Sequence, residues 1–312
     1  MTLRSIGLTL GALVLLAICP FIGPGLDGDQ GSFILWQLRV PRTLMGAMVG
    51  ATLGLAGAVY QTLFSNPLAT PSTVGTTAGA ALGALIAIIV LGPTSSGLPV
   101  VAGAAFLGAI MVTLFIASIA ASGRARVNDV LLAGIAITLA AGALSTGLQL
   151  RADMAATFRA VQWSLGNLSE VGYGGVLVLA PFVLLSCGVL LSQIRAMEAL
   201  VAGETRAHSQ GVSVTRVRTL GLGAGALGVG ACVAWCGPIA FVGLIVPHLV
   251  RLTVGASRRV LLPMSTLLGA SFLTLCDAIG RVALSGHELP AGVVTAVIGA
   301  PLLVWLVARQ RS

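Results

Sequence analysis

Lysine is absent from this chain: all 17 of its basic side chains are arginines. A phosphate-binding loop of the G-x-x-x-x-G-K-[ST] type needs its lysine to reach the terminal phosphates. The chain cannot carry that loop, so any ATP hydrolysis it depends on must come from a partner. Charge of either sign is scarce, at 8% of residues, about a third of the ~25% usual in soluble proteins. The metalloprotease pattern H-E-x-x-H and the hydrolase pattern G-x-S-x-G are both missing, and no two carboxylates share a helix face. An intramembrane enzyme would need a polar catalytic cluster, and none is found. No catalytic residue, metal site or cofactor is expected.

What the sequence has instead is apolar length. Hydrophobic residues make up 57% of it and the mean hydropathy is +1.03, more apolar surface than a soluble domain can hide. Candidate spans are 4–22, 41–64, 74–91, 98–121, 128–150, 173–194, 215–236, 240–254, 260–281 and 290–308. The eighth is short enough to be partial. The expected fold is all-α, a polytopic membrane protein of about ten helices forming a single transmembrane domain over 1–312. The run from Arg4 to Ile22 could be a signal peptide, but the bulky Ile18 before Cys19 disfavours cleavage, and a retained first helix is expected.

The net charge of +8 comes from arginines lying between apolar runs. That fits membrane topology, with positive charge kept inside, and not a nucleic-acid surface. With the N-terminus inside, Arg4, Arg124, Arg126, Arg195, Arg206, Arg216, Arg218, Arg251, Arg258, Arg259, Arg309 and Arg311 fall on the cytoplasmic side. Arg39, Arg42, Arg151, Arg159 and Arg281 fall outside. The imbalance puts both termini in the cytoplasm. Ionisable groups within the spans are few. Asp129 opens one, and Asp277 sits near the outer end of another, four residues before Arg281, where the two can pair along the helix. An ion-coupled secondary transporter, the alternative function, would place carboxylates nearer the midplane.

Small residues recur at helical spacing: Gly46, Gly50 and Gly54 on one face, Gly75, Gly79 and Gly83 on another. Such faces let helices pack closely, since lipid supplies no hydrophobic drive for association. Of the five cysteines, Cys232 and Cys236 share a helix face without a second ligand pair, so buried free thiols are expected. Three polar interruptions stand out. Arg39 and Arg42 flank Pro41 as outward-facing cations that an acidic partner could meet. The stretch from Ser65 to Gly75 contains two prolines and no arginine, a stiff turn facing protein or a pore. The third, about 195–216, is the longest cytoplasmic segment, with a short helix expected from Ala199 to Ala207, ending by Gly211. His248 and Arg251 share a helix face as a structural polar pair.

Five blocks, in order, resemble the FecCD family of ABC-transporter permeases: "RVPRTLMGAMVGATLGLAGAVYQTLFSNPLATPSTVG", "VQWSLGNL", "GETRAHSQGV", "CGPIAFVGLIVPHLVRLTVG" with "SRRVLLP", and "ELPAGVVTAVIGAP". The resemblance implies a permease of the bacterial cytoplasmic membrane. It would pair with a second permease, two ATPase subunits and an extracytoplasmic binding protein, and move an iron chelate by alternating access. Siderophore is the first expectation, with haem or cobalamin possible. It implies ATPase coupling through Gly203, Glu204, Arg206, Ala207, Gly211 and Val212. It implies binding-protein docking at Arg39, Arg42 and Arg281, and a cytoplasmic gate at Asn66, Pro67 and Leu68. The segment carrying Arg151, Asp153 and Arg159, before Trp163, resembles a region near the translocation path.

Overall fold

A computed structural model describes residues 3–25, 30–90, 98–121, 127–169, 172–284 and 287–309. Arg124, Arg126 and Arg311, used above to orient the chain, lie outside the described residues. Among the described residues the chain is helical: α1 Leu3–Ile18, α2 Gly31–Phe33, α3 Val40–Leu63, α4 Thr76–Val90, α5 Leu98–Ala121, α6 Val127–Gln149 and α7 Met154–Ser164. There follow α8 Gly172–Ser192, α9 Ile194–Val201, α10 Glu204–Ser209, α11 Val214–Cys236, α12 Val242–Thr253, α13 Arg258–Val282 and α14 Ala291–Arg309. Seven helices are long and apolar enough to cross a membrane, and three more, Thr76–Val90, Val242–Thr253 and Ala291–Trp305, are apolar but shorter. This is the expected polytopic bundle of about ten spans.

Two boundaries differ from expectation, each for a physical reason, and the eighth segment is as short as expected. The second span begins at Gly31, not at 41. A proline at 41 would clash with the carbonyl of the preceding helical turn and lacks an N–H to bond it. Here Ile34–Arg39 is a π-helical turn, and Val40 N donates to Leu35 O. The wider turn takes up the proline, so helix runs through it into α3. The eighth segment, α12, has only 12 residues. At about 1.5 Å per residue it reaches roughly 18 Å, well short of a ~30 Å hydrocarbon core. The polar segment after α8 is two short helices and not one from Ala199 to Ala207, because Gly203 between them takes φ +109°.

The core is built around α3. Of the most apolar 18 residues of the Gly31–Leu63 span 78% are buried within the chain, against 17% of those of Asp129–Gln149 at the periphery. The glycine faces explain how α3 is surrounded. A Cβ on Gly50 would overlap the Gly269 carbonyl oxygen of α13, one on Gly54 would overlap Ser265 O, and one on Gly57 would overlap Gly243 O of α12. The second face joins α4 to α5, where Gly83 lies against Ala104 O and Gly108 against Gly79 O. Gly79 and Gly83 serve packing, as expected, whereas Gly75 stands before α4 at φ +86° and meets Gly134 O of α6. All five cysteines are free thiols, and four of them are buried.

Gly50→Leu should therefore prevent α3 and α13 from meeting, with little folded chain recovered from membranes. Gly223→Ala, on a helical face with nothing within 4 Å, should leave the unfolding temperature of the detergent-purified chain within about 2 °C of the parent.

Candidate functional site at the two ends of the bundle

The two ends of α13 mark two polar regions. At one end, Asp277 sits among arginines drawn from distant parts of the chain. Arg42 Nε donates to both Asp277 oxygens at 2.9 and 3.0 Å, and its Nη2 lies 2.8 Å from Oδ1. The remaining arm of Arg42 reaches Glu288. Arg281 Nη2 donates to Cys19 O at 2.7 Å, and Arg39 Nη2 to Pro24 O at 2.6 Å. The cluster thus ties α1, α3, α13 and the entry to α14 together. Asp277 pairs first with Arg42 across the helix seam, and its contact with Arg281 along the helix is a looser 3.8 Å. The expectation of outward-facing cations needs correcting: Arg39, Arg42 and Arg281 are 6%, 8% and 6% exposed. They are folded inward because Asp277 and backbone carbonyls at the turns after α1 offer acceptors that solvent-facing rotamers would forgo.

Beside this cluster opens a cavity of about 690 Å³. Its wall includes Phe158, Arg159 and Trp163 of α7, Trp235 at the end of α11, and Glu288 and Pro290 before α14. Asp153 caps α7, accepting from Ala156 N at 2.6 Å. The segment after α7 is stapled in place: Asn167 N donates to Cys236 O at 2.8 Å, and Gly292 N to Gly166 O at 3.0 Å. Gly237, at φ +69°, lies so close to Trp163 O that a Cβ would overlap it. The cavity rim is thus backbone held by backbone. Arg151, expected in the same region, is exposed at the turn before α7.

At the other end lie α9 and α10. The six residues singled out there divide by geometry. Gly203 and Gly211 take φ +109° and +77°, turn conformations that other residues adopt only with strain. Ala207 is fully buried, packs with Ala199 and Val214, and has Val212 against it. Glu204 and Arg206 are exposed. Glu204 is bridged by Arg218 Nη2 at 2.6 Å. Four of the six therefore shape the unit, and two charges face outward.

The break after α3 is as stiff as its prolines suggest. Ser65 takes φ +47°, Asn66 N donates to Gln61 O, and the Asn66 side chain accepts from Leu68 N at 2.9 Å. Pro67 and Leu68 are exposed. Two contacts near this end were not anticipated. Arg251 Nη2 donates to Gln61 Oε1 at 2.6 Å, and Gln61 Nε2 reaches the carbonyls of Gly243 and Leu244, clasping α12 to α3. Glu198 of α9 accepts from Arg258 N at 2.6 Å and from Ser257 Oγ at 3.3 Å. It caps α13, whose own N-cap serine makes no side-chain cap. Partners 60 residues apart leave no local signal in the sequence.

Removing one member of the buried ionic cluster should cost far more than removing a pair. Asp277→Asn leaves Arg42 and Arg281 without their shared carboxylate and should destabilise the chain by about 3–5 kcal/mol. Adding Arg42→Gln should recover part of that loss in thermal unfolding of the purified chain.

Comparison with known proteins agrees along the whole bundle. The profile described as "FecCD transport family" matches residues 8–309. The vitamin B12 import system permease protein BtuC of Vibrio cholerae is 38% identical over 282 residues, which span 89% of this chain and 84% of that one. The hemin transport system permease protein HmuU of Yersinia pestis is 35% identical, with 89% and 84% covered. A solved inward-facing structure, assigned to a metal-chelate type of ABC transporter, superimposes with a TM-score of 0.88 at 30% identity over 98% of each chain. The chain belongs to the FecCD family of ABC-transporter permeases, multi-pass membrane proteins that act as transport subunits and not as catalytic ones.

Proposed function

We propose that this permease imports an iron chelate, a ferric siderophore first, in a complex with a second permease, two ATPase subunits and an extracytoplasmic binding protein. The observation that carries the reading is polarity along the bundle. A cavity and a cationic cluster occupy one end, a polar two-helix unit with an outward charged edge occupies the other, and α3 and α13 run between them. Relatives named for vitamin B12 and hemin import make cobalamin and haem the other candidates.

In this reading α9 and α10 lie in a bacterial cytoplasm with both termini, and the cavity opens outward. Glu204 and Arg206 contact the ATPase, while Gly203, Ala207, Gly211 and Val212 hold α10 in the shape it docks with. Asn66, Pro67 and Leu68 form the cytoplasmic gate, next to the Gln61–Arg251 clasp. Docking of the binding protein at Arg39, Arg42 and Arg281 works through charge from within. Three guanidinium groups against the carboxylates of Asp277 and Glu288 leave the cluster net positive, and its field favours an acidic partner surface. ATP-driven closure of the ATPase pair shifts α9 and α10, and differential contact in the two states moves the pore helices.

Affinity purification of the chain from its native membranes, read by mass spectrometry, tests this. An ATPase subunit should co-purify with the parent and be lost with Arg206→Glu, while Arg206→Glu remains folded in the membrane. Recovery of the parent alone, under conditions that preserve other transporter complexes, would count against this assembly and favour the alternative, an ion-coupled carrier.

A further inference from the structure

The cavity holds an uncompensated charge. Among the described residues two charged side chains line it, Arg159 and Glu288. Glu288 is engaged by Arg42, so its charge is matched from behind the wall. Among the described residues Arg159 has no carboxylate partner. A guanidinium that lines a cavity without a carboxylate partner is a ready donor to an incoming anion. Arg159 and Trp163 are four apart on α7 and share a face, with Gln162 beside them. Trp235 stands at the same cavity. The arrangement offers aromatic surface around one cation, in a volume of about 690 Å³ that suits a ligand of several hundred daltons.

We propose that Arg159 makes this cavity selective for an anionic metal chelate, whose negatively charged ligand oxygens accept from the guanidinium while its apolar faces lie on Phe158, Trp163 and Trp235. The proposal rests on the importer reading and narrows its substrate class by charge. A neutral chelate of equal size would fill the volume but leave the charge of Arg159 unmatched. The stapled rim keeps the cation from moving away: α7 is capped by Asp153 and followed directly by the segment bonded to Cys236 and Gly292.

The test is a binding titration of the full-length chain in lipid nanodiscs, read by quenching of Trp163 and Trp235 fluorescence. The probes are an anionic ferric tris-catecholate and an uncharged ferric tris-hydroxamate, so that the metal is the same and the charge differs. The catecholate should bind more tightly to the parent. Arg159→Gln should weaken it by about tenfold or more and leave the hydroxamate unchanged, and Arg159→Lys should retain the preference. Equal binding of the two probes, an equal loss of both in Arg159→Gln, or no quenching by either would overturn the proposal. The importer reading is decided separately, by recovery of the ATPase subunit, so the two can fail independently.

Discussion

The direct contact of backbones along α3 and α13 is the constraint on which the rest of this molecule depends. Gly50 and Gly269 face each other so closely that neither tolerates a side chain. In lipid, apolar side chains gain little by leaving one apolar surface for another, and association rests on close van der Waals packing. Removing the side chains lets two helices approach until the main chains touch. Once they do, the register between them is fixed, because sliding by a residue would bring a Cβ against a carbonyl. Every polar group that crosses the seam inherits its position from that register. Arg42 meets Asp277 at one end of it, and Gly57 brings α12 close enough for Gln61 and Arg251 to meet at the other.

That geometry makes α13 a rod with a fixed attachment at each end. Glu198 caps its first turn from α9, and Asp277 and Arg281 near its last turn join α1 and α3. A carboxylate at a helix N-terminus satisfies donors that would otherwise be orphaned and sits favourably in the helix dipole. Displacing α9 would therefore pull on α13 or break its cap. The short α12 behaves differently. It is only 12 residues long, and it packs on α3 through the Gly57–Gly243 approach, the Gln61–Arg251 clasp and buried Val242, Ile245, Val246 and Val250. The bundle thus contains one element tied at both ends and one that is half-length.

Much of this was legible in the sequence because membrane helices announce themselves by length and apolarity. Leu98–Ala121 matched its expected bounds residue for residue, and most of the others fell within two. Where a local rule was applied alone, it failed. Pro41 looked like a helix start, since a proline is easiest to place in a first turn, but a π-helical turn let the helix continue through it. Arg39 and Arg42 looked exposed because arginines at the end of a span usually are. Their acceptors, Pro24 O and Asp277, lie 15 and 235 positions away. Asp277 and Arg281 had the spacing of a helical pair, but the stronger partner came across the seam. The Glu198 cap and the Gln61–Arg251 clasp left no trace for the same reason: each joins segments that only the folded bundle brings together. At α10 the residues alone suggested one helix running through Gly203, and Gly203 and Gly211 were singled out only through the family resemblance.

The missing lysines become intelligible at the ionic cluster. Arg42 is buried and bonds three carboxylate oxygens at once, two on Asp277 and one on Glu288. A guanidinium does this because its donors lie in one plane at fixed angles, along both edges of a carboxylate and onward to a second. An ammonium is a compact point charge, more strongly hydrated, and would give up more water for fewer aligned bonds. The same reasoning holds for Arg281, which must serve the carbonyl of Cys19 while standing beside Asp277, and for Arg251, whose reach to Gln61 comes from a half-length helix. In a chain this poor in charge, a cation in the interior is tolerable only where it satisfies several acceptors in a defined geometry. That requirement selects arginine at each of these positions.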